Sequence, residues 1–242
     1  MGFASQEDHV VEAVVTGAAS GIGRALAGRL VSPRNTVYLA DIAPLDEVVA
    51  ATGGVAVPTD VSDPDQMMEL ACVARGADLV CLNAGMVGSS VGAPWEVPAD
   101  EWLRVLNVNL LGVVNGLRAF VPVLRGKDHP TRILITASLA GLVTFPGGGA
   151  YAATKHAVVA VAEQAAMMLA DTSVGVTLLC PALVKTGMSD IGEEPETVAD
   201  SALEACRRGQ FLVFPPEWRE AIESRGMHLS TGQRPIVPAP AS

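Results

Sequence analysis

The sequence predicts an α/β chain built on a doubly wound parallel sheet with helices on both faces. Strand-like and helix-like stretches alternate along nearly the whole chain. The strand-like runs have continuous apolar centres, such as Leu79 to Leu82 and Ile133 to Ile135, as strands covered on both faces do. Half of the residues are apolar, 17% are charged and only 4% are aromatic, which suits short buried strands under Ala- and Leu-rich helices. A length of 242 residues fits one large α/β domain.

Taken in order, residues 10–16 read as the first strand, followed by a Gly-rich turn and a helix to about residue 31. Residues 36–41 form the second strand, with a short helix at 45–51, and 54–58 form the third. Asp63-Pro64 pairs an N-cap residue with Pro at the first helical position, opening a helix to about residue 75. A fourth strand at 77–83 and a loop to 97 precede one long helix at 98–125. Residues 132–137 are the fifth strand. The stretch 149–171 is rich in Ala and poor in breakers, so it reads as a helix. A sixth strand at 174–180, a helix at 195–208, a short strand at 210–214 and a last helix at 217–225 complete the pattern. Crossovers between parallel strands are right-handed. Residues 1–229 are thus expected to form one domain. Residues 230–242 carry Pro235, Pro238 and Pro240 without periodicity, and are expected to be mobile or laid over a neighbour.

A net charge of −10 argues against nucleic acid and against anionic membranes as partners, and reads as a solubility feature. The four cysteines, Cys72, Cys81, Cys180 and Cys206, form no C-x-x-C pair. Cys81 and Cys180 fall in apolar runs, where a free thiol behaves as a small hydrophobe. A reducing cytoplasm is the simplest setting. Met1 to His9 shows no basic and then apolar signal pattern, and no apolar run reaches the ~20 residues that span a bilayer.

Several stretches carry chemistry. Thr16-Gly17-Ala18-Ala19-Ser20-Gly21-Ile22-Gly23 joins the first strand to the first helix. That is where a Rossmann-type fold seats a dinucleotide pyrophosphate on a helix N-terminus. Asp41 ends the second strand, where a carboxylate accepts bonds from ribose hydroxyls and repels a 2′-phosphate. No Lys or Arg stands at Ala18, Ala19 or Ser20 to neutralise such a phosphate, so NAD is expected rather than NADP. Asp60 and Val61 follow the third strand, with Asp60 placed to meet an adenine edge. Asn83-Ala84-Gly85 closes the fourth strand with small residues that let a cofactor pass close to the sheet. Asn109 lies inside the long helix, an unfavourable place for Asn that implies a polar task; Asn107 is the competing candidate. Ser138 ends the fifth strand at the sheet edge where open α/β folds bind ligands.

Tyr151 and Lys155 are four apart on a predicted helix and so share a face. An adjacent ammonium favours the phenolate and lowers the Tyr pKa toward a range useful for acid/base work. The pair alone also fits an interior Tyr beside a snorkelling Lys; the surrounding motifs decide.

Together these residues resemble the classical branch of the short-chain dehydrogenase/reductase family. The matches are Thr16-Gly17-x3-Gly21-Ile22-Gly23, Asp60, Asn83-Ala84-Gly85, Asn109, Ser138, Tyr151-x3-Lys155 and the run from Pro181 to Thr186. Their order and spacing agree over roughly residues 10–190. The resemblance implies that Tyr151 is the general acid/base and that Lys155 lowers its pKa and holds the nicotinamide ribose. It implies that Ser138 bonds the substrate oxygen and that Asn109 supports a water relay to Lys155. Pro181, Val184 and Thr186 would meet the nicotinamide carboxamide. The chain departs from the family pattern in three places. Ala182 stands where Gly follows the proline, residues 187–195 are short for a substrate lid, and 210–216 replaces the usual C-terminal strand ending.

The loops after the fourth, fifth and sixth strands should wall the substrate pocket, with Met86, Val87, Trp95, Leu139, Val143, Phe145 and Met188 as candidates. None is charged, which points to an apolar secondary alcohol or ketone. The helices 98–125 and 149–171 are apolar around much of their circumference, which predicts a homodimer or homotetramer built on them. A catalytically silent dinucleotide-binding protein of the same fold is the alternative function. It would be marked by loss of Ser138, Tyr151 or Lys155, and all three are present.

Overall fold

Seven parallel strands form one sheet in the order β3-β2-β1-β4-β5-β6-β7. The computed structural model describes residues 11–89, 92–187 and 189–241. The strands are β1 (Glu12–Thr16), β2 (Thr36–Asp41), β3 (Val55–Pro58), β4 (Leu79–Leu82), β5 (Thr131–Thr136), β6 (Val174–Leu179) and β7 (Leu212–Val213). The helices are α1 (Gly21–Leu30), α2 (Asp46–Thr52), α3 (Pro64–Val73), α4 (Ala99–Leu106), α5 (Gly112–Arg125), α6 (Gly149–Met168), α7 (Pro195–Arg208) and α8 (Arg219–Thr231).

The predicted fold class is the observed one. Strand side chains alternate between two buried layers, as the two-residue period requires. Val14, Ile133 and Ile135 enter the layer covered by α3, α5 and α6, together with Met67, Phe120 and Val158. Ala13, Val15 and Leu134 enter the layer under α1, α2 and α7, with Leu26, Val48 and Ala202. Every residue of β5 is buried, its apolar centre Ile133-Leu134-Ile135 and the flanking Thr131, Arg132 and Thr136 alike. Each large side chain withdrawn this way contributes about 1.5–3 kcal/mol. The strand order reverses between β1 and β4, so a crevice opens at the carboxyl ends of these two strands.

Local signals set several element ends. Asp63 accepts bonds from the backbone N–H groups of Asp65 and Gln66, with Pro64 at the first position of α3, as its sequence predicts. Gly209 ends α7 in the left-handed conformation. The single helix expected at 98–125 is instead interrupted by a π-helical turn, Asn107–Leu111, between α4 and α5. Among the described residues, the run Ala99–Arg125 is long and apolar enough to cross a membrane, although no uninterrupted apolar stretch suggested one. It is a core helix: Phe120 and Leu124 are fully buried against the sheet. The C-terminal helix starts later and runs further than 217–225, after a 3-10 turn at Pro216–Trp218. Beyond it the chain returns on itself, and the Ala241 N–H donates to the Glu217 carbonyl at 2.7 Å.

Candidate active site

The glycine loop is shaped by close approach of backbone to backbone. Gly17 has φ +69°, and a Cβ there would lie 2.9 Å from the Ala84 Cα. A Cβ on Gly23 would sit 1.9 Å from the Gly17 carbonyl oxygen. Only glycine lets α1 start this close to the loop. The Thr16 hydroxyl locks the loop to β4. It accepts from the N–H groups of Asn83 and Ala84 at 2.9 and 3.1 Å and donates to the Cys81 carbonyl at 3.2 Å. Asn83 Nδ2 returns a bond to the Thr16 carbonyl at 3.2 Å. No side chain caps the N-terminus of α1, and its first turn carries no acidic residue. Its unpaired backbone N–H groups and positive dipole end therefore suit a pyrophosphate. The residues present fit a dinucleotide.

Asp41 is held where β2 ends. One carboxylate oxygen accepts from the Ala19 N–H at 3.0 Å and the other from the Ala43 N–H at 2.9 Å. It thereby ties the glycine loop to the strand end while facing the crevice. Asp60 accepts from the Ser62 backbone N–H and hydroxyl at 2.8 and 2.7 Å, and its own N–H donates to Gln66 at 2.8 Å.

Deeper in, Ser138, Tyr151 and Lys155 converge. Ser138 caps a short 3-10 turn, Leu139–Gly141, through a bond from the Ala140 N–H at 3.1 Å. Its hydroxyl lies near enough to the Tyr151 phenol to favour the phenolate. Lys155 is buried; its Nζ donates to the Thr136 carbonyl at 3.1 Å and lies 5.7 Å from the Tyr151 ring centre. Asn109, in the π turn, is fully buried. It exchanges a bond pair with the Met86 backbone, accepting at 2.8 Å and donating at 2.9 Å, and donates to Thr154 Oγ1 at 3.1 Å. Asn107 is exposed, which decides between the two candidates. Asn109 Oδ1 and Lys155 Nζ both border Gly85, each 3.3 Å from where its Cβ would stand.

The electrostatics correct one expectation. Burial pushes the Lys155 ammonium down to about 8, and burial also raises the Tyr151 phenol above its ordinary value. The nearby Ser138 hydroxyl, rather than Lys155, is what opposes that rise. Both charged forms lose water here, and for each group that loss is the largest cause of its shift. The neighbouring Cys180 thiol is pushed up to about 12 by burial, so it is inert as a nucleophile.

A single cavity of about 730 Å³ joins these groups. Its outer end carries Ser20, Gly21, Ile22, Asp41, Asp60 and Val61, and its floor is Gly17 with Asn83, Ala84 and Gly85. Ser138, Tyr151 and Lys155 stand at the inner end, and Pro181, Val184 and Thr186, which follow the neighbouring strand β6, also line the cavity. Of the expected pocket residues, Val87, Leu139 and Phe145 line it.

Other expected residues lie outside the lining. Gly23 does not line the cavity; it serves the packing of α1 on the loop. Asn109 does not line the cavity itself; it stands behind Gly85 and bonds Met86 and Thr154. Val143 is buried away from the cavity, Met86 is engaged with Asn109, and Trp95 is 84% exposed. Met188 lies outside the described residues. Trp218, Ile42 and Leu183 line the cavity without having been foreseen. Pro215-Pro216 just before Trp218 was the available signal, because it marks a turn rather than a helix start.

Comparison with known proteins agrees with this geometry. The family model for short chain dehydrogenase matches residues 12–196. The chain is 43% identical over 189 residues to 1-deoxy-11-beta-hydroxypentalenate dehydrogenase of Streptomyces avermitilis, covering 73% of this chain and 70% of that one. It is 34% identical over 187 residues to 3beta-hydroxysteroid dehydrogenase 2 of Eggerthella lenta, covering 73% and 72%. Its fold is similar to the crystal structure of a short chain dehydrogenase/reductase from Burkholderia phymatum in complex with NAD. There the TM-score is 0.89 at 32% identity, over 95% of this chain and 98% of that one. With a Gly-rich loop, a strand-end Ser and a Tyr–Lys pair around one crevice, this chain belongs to the short-chain dehydrogenase/reductase family of oxidoreductases.

Proposed function

We propose that this protein is an NAD-dependent dehydrogenase or carbonyl reductase acting on apolar secondary alcohols and ketones. The observation that carries the reading is the single cavity with Asp41 at one end and Ser138, Tyr151 and Lys155 at the other. The Asp41 carboxylate and the absence of Lys or Arg at Ala18, Ala19 and Ser20 favour a free ribose 2′-hydroxyl over a 2′-phosphate. Among the described residues, the charged groups lining the cavity are Asp41, Asp60 and Lys155, and the lining around Ser138 and Tyr151 is otherwise mostly apolar, which supports an apolar substrate.

Gly17, Ser20, Gly21 and the α1 N-terminus would hold the pyrophosphate, Asp41 the adenosine ribose, and Asn83 to Gly85 the passage along the sheet. Bound there, the nicotinamide supplies the hydride acceptor or donor. The Ser138 hydroxyl positions the substrate oxygen and stabilises charge developing on it. Tyr151 moves the proton between its phenol oxygen and that same oxygen. Because burial keeps Tyr151 protonated at neutral pH, it is poised to give a proton to a ketone. Lys155 holds the nicotinamide ribose. Asn109 fixes the Met86 backbone beside that lysine and supports a water path to it.

The reading extends to assembly. Leu103 and Leu111 on the long helical run, and Met167 and Met168 at the end of α6, are exposed apolar residues, which supports a homodimer or homotetramer through these helices. Four free cysteines, three of them buried, suit a reducing cytoplasm.

The test is a panel of secondary alcohols and ketones with NAD and NADH, followed at the reduced-nicotinamide absorbance. Turnover of apolar secondary alcohols that Tyr151→Phe removes is expected. Turnover confined to charged substrates, or undiminished in Tyr151→Phe, would overturn the reading.

A further inference from the structure

The inner end of the cavity is walled by two rings from segments far apart in sequence. Phe145 and Trp218 meet edge to face, with ring centres 5.7 Å apart and planes at 75°. Both line the cavity that holds Ser138 and Tyr151. The Phe145 loop is pinned from outside: the Gly92 N–H donates to the Gly147 carbonyl at 3.0 Å. The Trp218 turn is held from three sides. Pro215 and Pro216 stiffen its approach, the Trp218 N–H donates to the Pro215 carbonyl at 3.1 Å, and Ala241 bonds Glu217 at 2.7 Å. The Arg219 guanidinium lies over the Phe214 ring at 5.4 Å, anchoring the other side of the turn.

The opposite wall comes from the segment after β6, which closes on itself. Lys185 N–H donates to the Glu193 carbonyl and Glu193 N–H to the Leu183 carbonyl, both at 2.9 Å. The Lys185 ammonium pairs with Glu194 outside the lining, so this wall adds no charge to the cavity.

We propose that Trp218, seated by its turn against Phe145, is a specificity-determining residue that selects rigid fused-ring apolar alcohols and ketones over small ones. This rests on the dehydrogenase reading and names its substrate class. Two locked rings set at 75° present an angled apolar wall at little entropic cost, and a rigid fused-ring molecule covers more of that wall than a small one does. Ser138 and Tyr151 take the oxygen at one end of such a molecule, and Trp218 meets its far rings.

Wild-type protein, Trp218→Ala and Trp218→Phe are assayed with NADH on cyclohexanone and on decalone, a fused bicyclic ketone. Wild type should prefer decalone. Trp218→Ala should lower that preference about tenfold, the scale of a lost apolar pocket contact, through KM for decalone alone. Trp218→Phe should restore most of it. An unchanged preference in Trp218→Ala, or equal losses on both ketones, overturns the proposal.

Binding is read separately, without turnover, by titrating decalone in the presence of NAD and following tryptophan emission. Quenching in wild type that is absent in Trp218→Phe supports the wall even where neither ketone is reduced, a result that counts against the dehydrogenase reading alone. Absence of Trp218-dependent quenching overturns the wall, whatever the ketones do.

Discussion

Asn109 Nδ2 donates to Thr154 Oγ1 at 3.1 Å, joining the π turn to the helix that carries Tyr151 and Lys155. The same amide pairs with both backbone groups of Met86, so one side chain ties together α6, the π turn and the loop after β4. A π turn inserted at this point is what aims the amide inward. Replacing Asn109 with Ala strands buried polar groups on Met86 and is expected to cost about 1–3 kcal/mol. The urea midpoint should fall, and kcat should fall with it. Unchanged values of both would show that the bridge does not matter.

Tyr151→Phe keeps the ring packing and removes the proton carrier. Loss of about 10²–10⁴-fold in kcat is expected in both directions, the usual contribution of a positioned acid/base. Because burial raises the Tyr151 phenol, alcohol oxidation should speed up as pH rises, while ketone reduction holds at neutral pH. A pH series of kcat in each direction checks this; oxidation that is fastest in acid would contradict it.

Lys155 is a buried ammonium whose pKa is lowered by desolvation from 10.5 to about 8. Between these values the unfolded chain holds the proton more tightly than the folded one. Stability therefore rises with pH across that window and carries its full deficit below it. The deficit is on the order of 3 kcal/mol. Lys155→Met should accordingly raise the stability measured by urea at neutral pH while abolishing activity. A destabilised Lys155→Met would mean that its bond to the Thr136 carbonyl outweighs the burial cost.

His129 illustrates the opposite sign. Its Nε2 meets the buried Asp78 carboxylate at 2.8 Å and its Nδ1 meets Asp128 at 3.0 Å. Both carboxylates raise the His129 pKa above 6.5. Lys127 Nζ also approaches Asp78, at 3.7 Å. The imidazolium's contribution is full below pH 6.5 and is lost as pH rises through the folded value. Subtracting the thermal midpoints of His129→Gln from those of wild type across the neutral range should give a difference that shrinks as pH rises.

Asp41→Asn removes the charge but keeps one acceptor for the Ala19 or Ala43 N–H. The ratio of kcat/KM for NADPH over NADH should increase about tenfold, the equivalent of about 1.4 kcal/mol. A wild-type preference for NADPH would remove the basis of the cofactor reading.

Periodicity and local chemistry were enough for the architecture and for naming most residues that line the cavity. The apolar runs required a doubly covered parallel sheet. Asp63-Pro64 marked a helix start correctly because a cap bonds only its own next residues. Four-residue spacing alone put Tyr151 and Lys155 on one face. The π turn was not legible, because it adds no residue type that an α-helix lacks.

The properties that depend on what surrounds a residue were decided by the tertiary structure. Gly23 faces a carbonyl in its own loop rather than the crevice, a distance no spacing rule contains. The rise in the Tyr151 pKa follows from burial, and burial is a sum over neighbours from several strands and helices. Trp218 reaches Phe145 only because the chain past β7 folds back over the carboxyl edge of the sheet. Sequence spacing governs contacts a few residues apart; contacts between distant segments, and the desolvation they cause, exist only once the chain has packed.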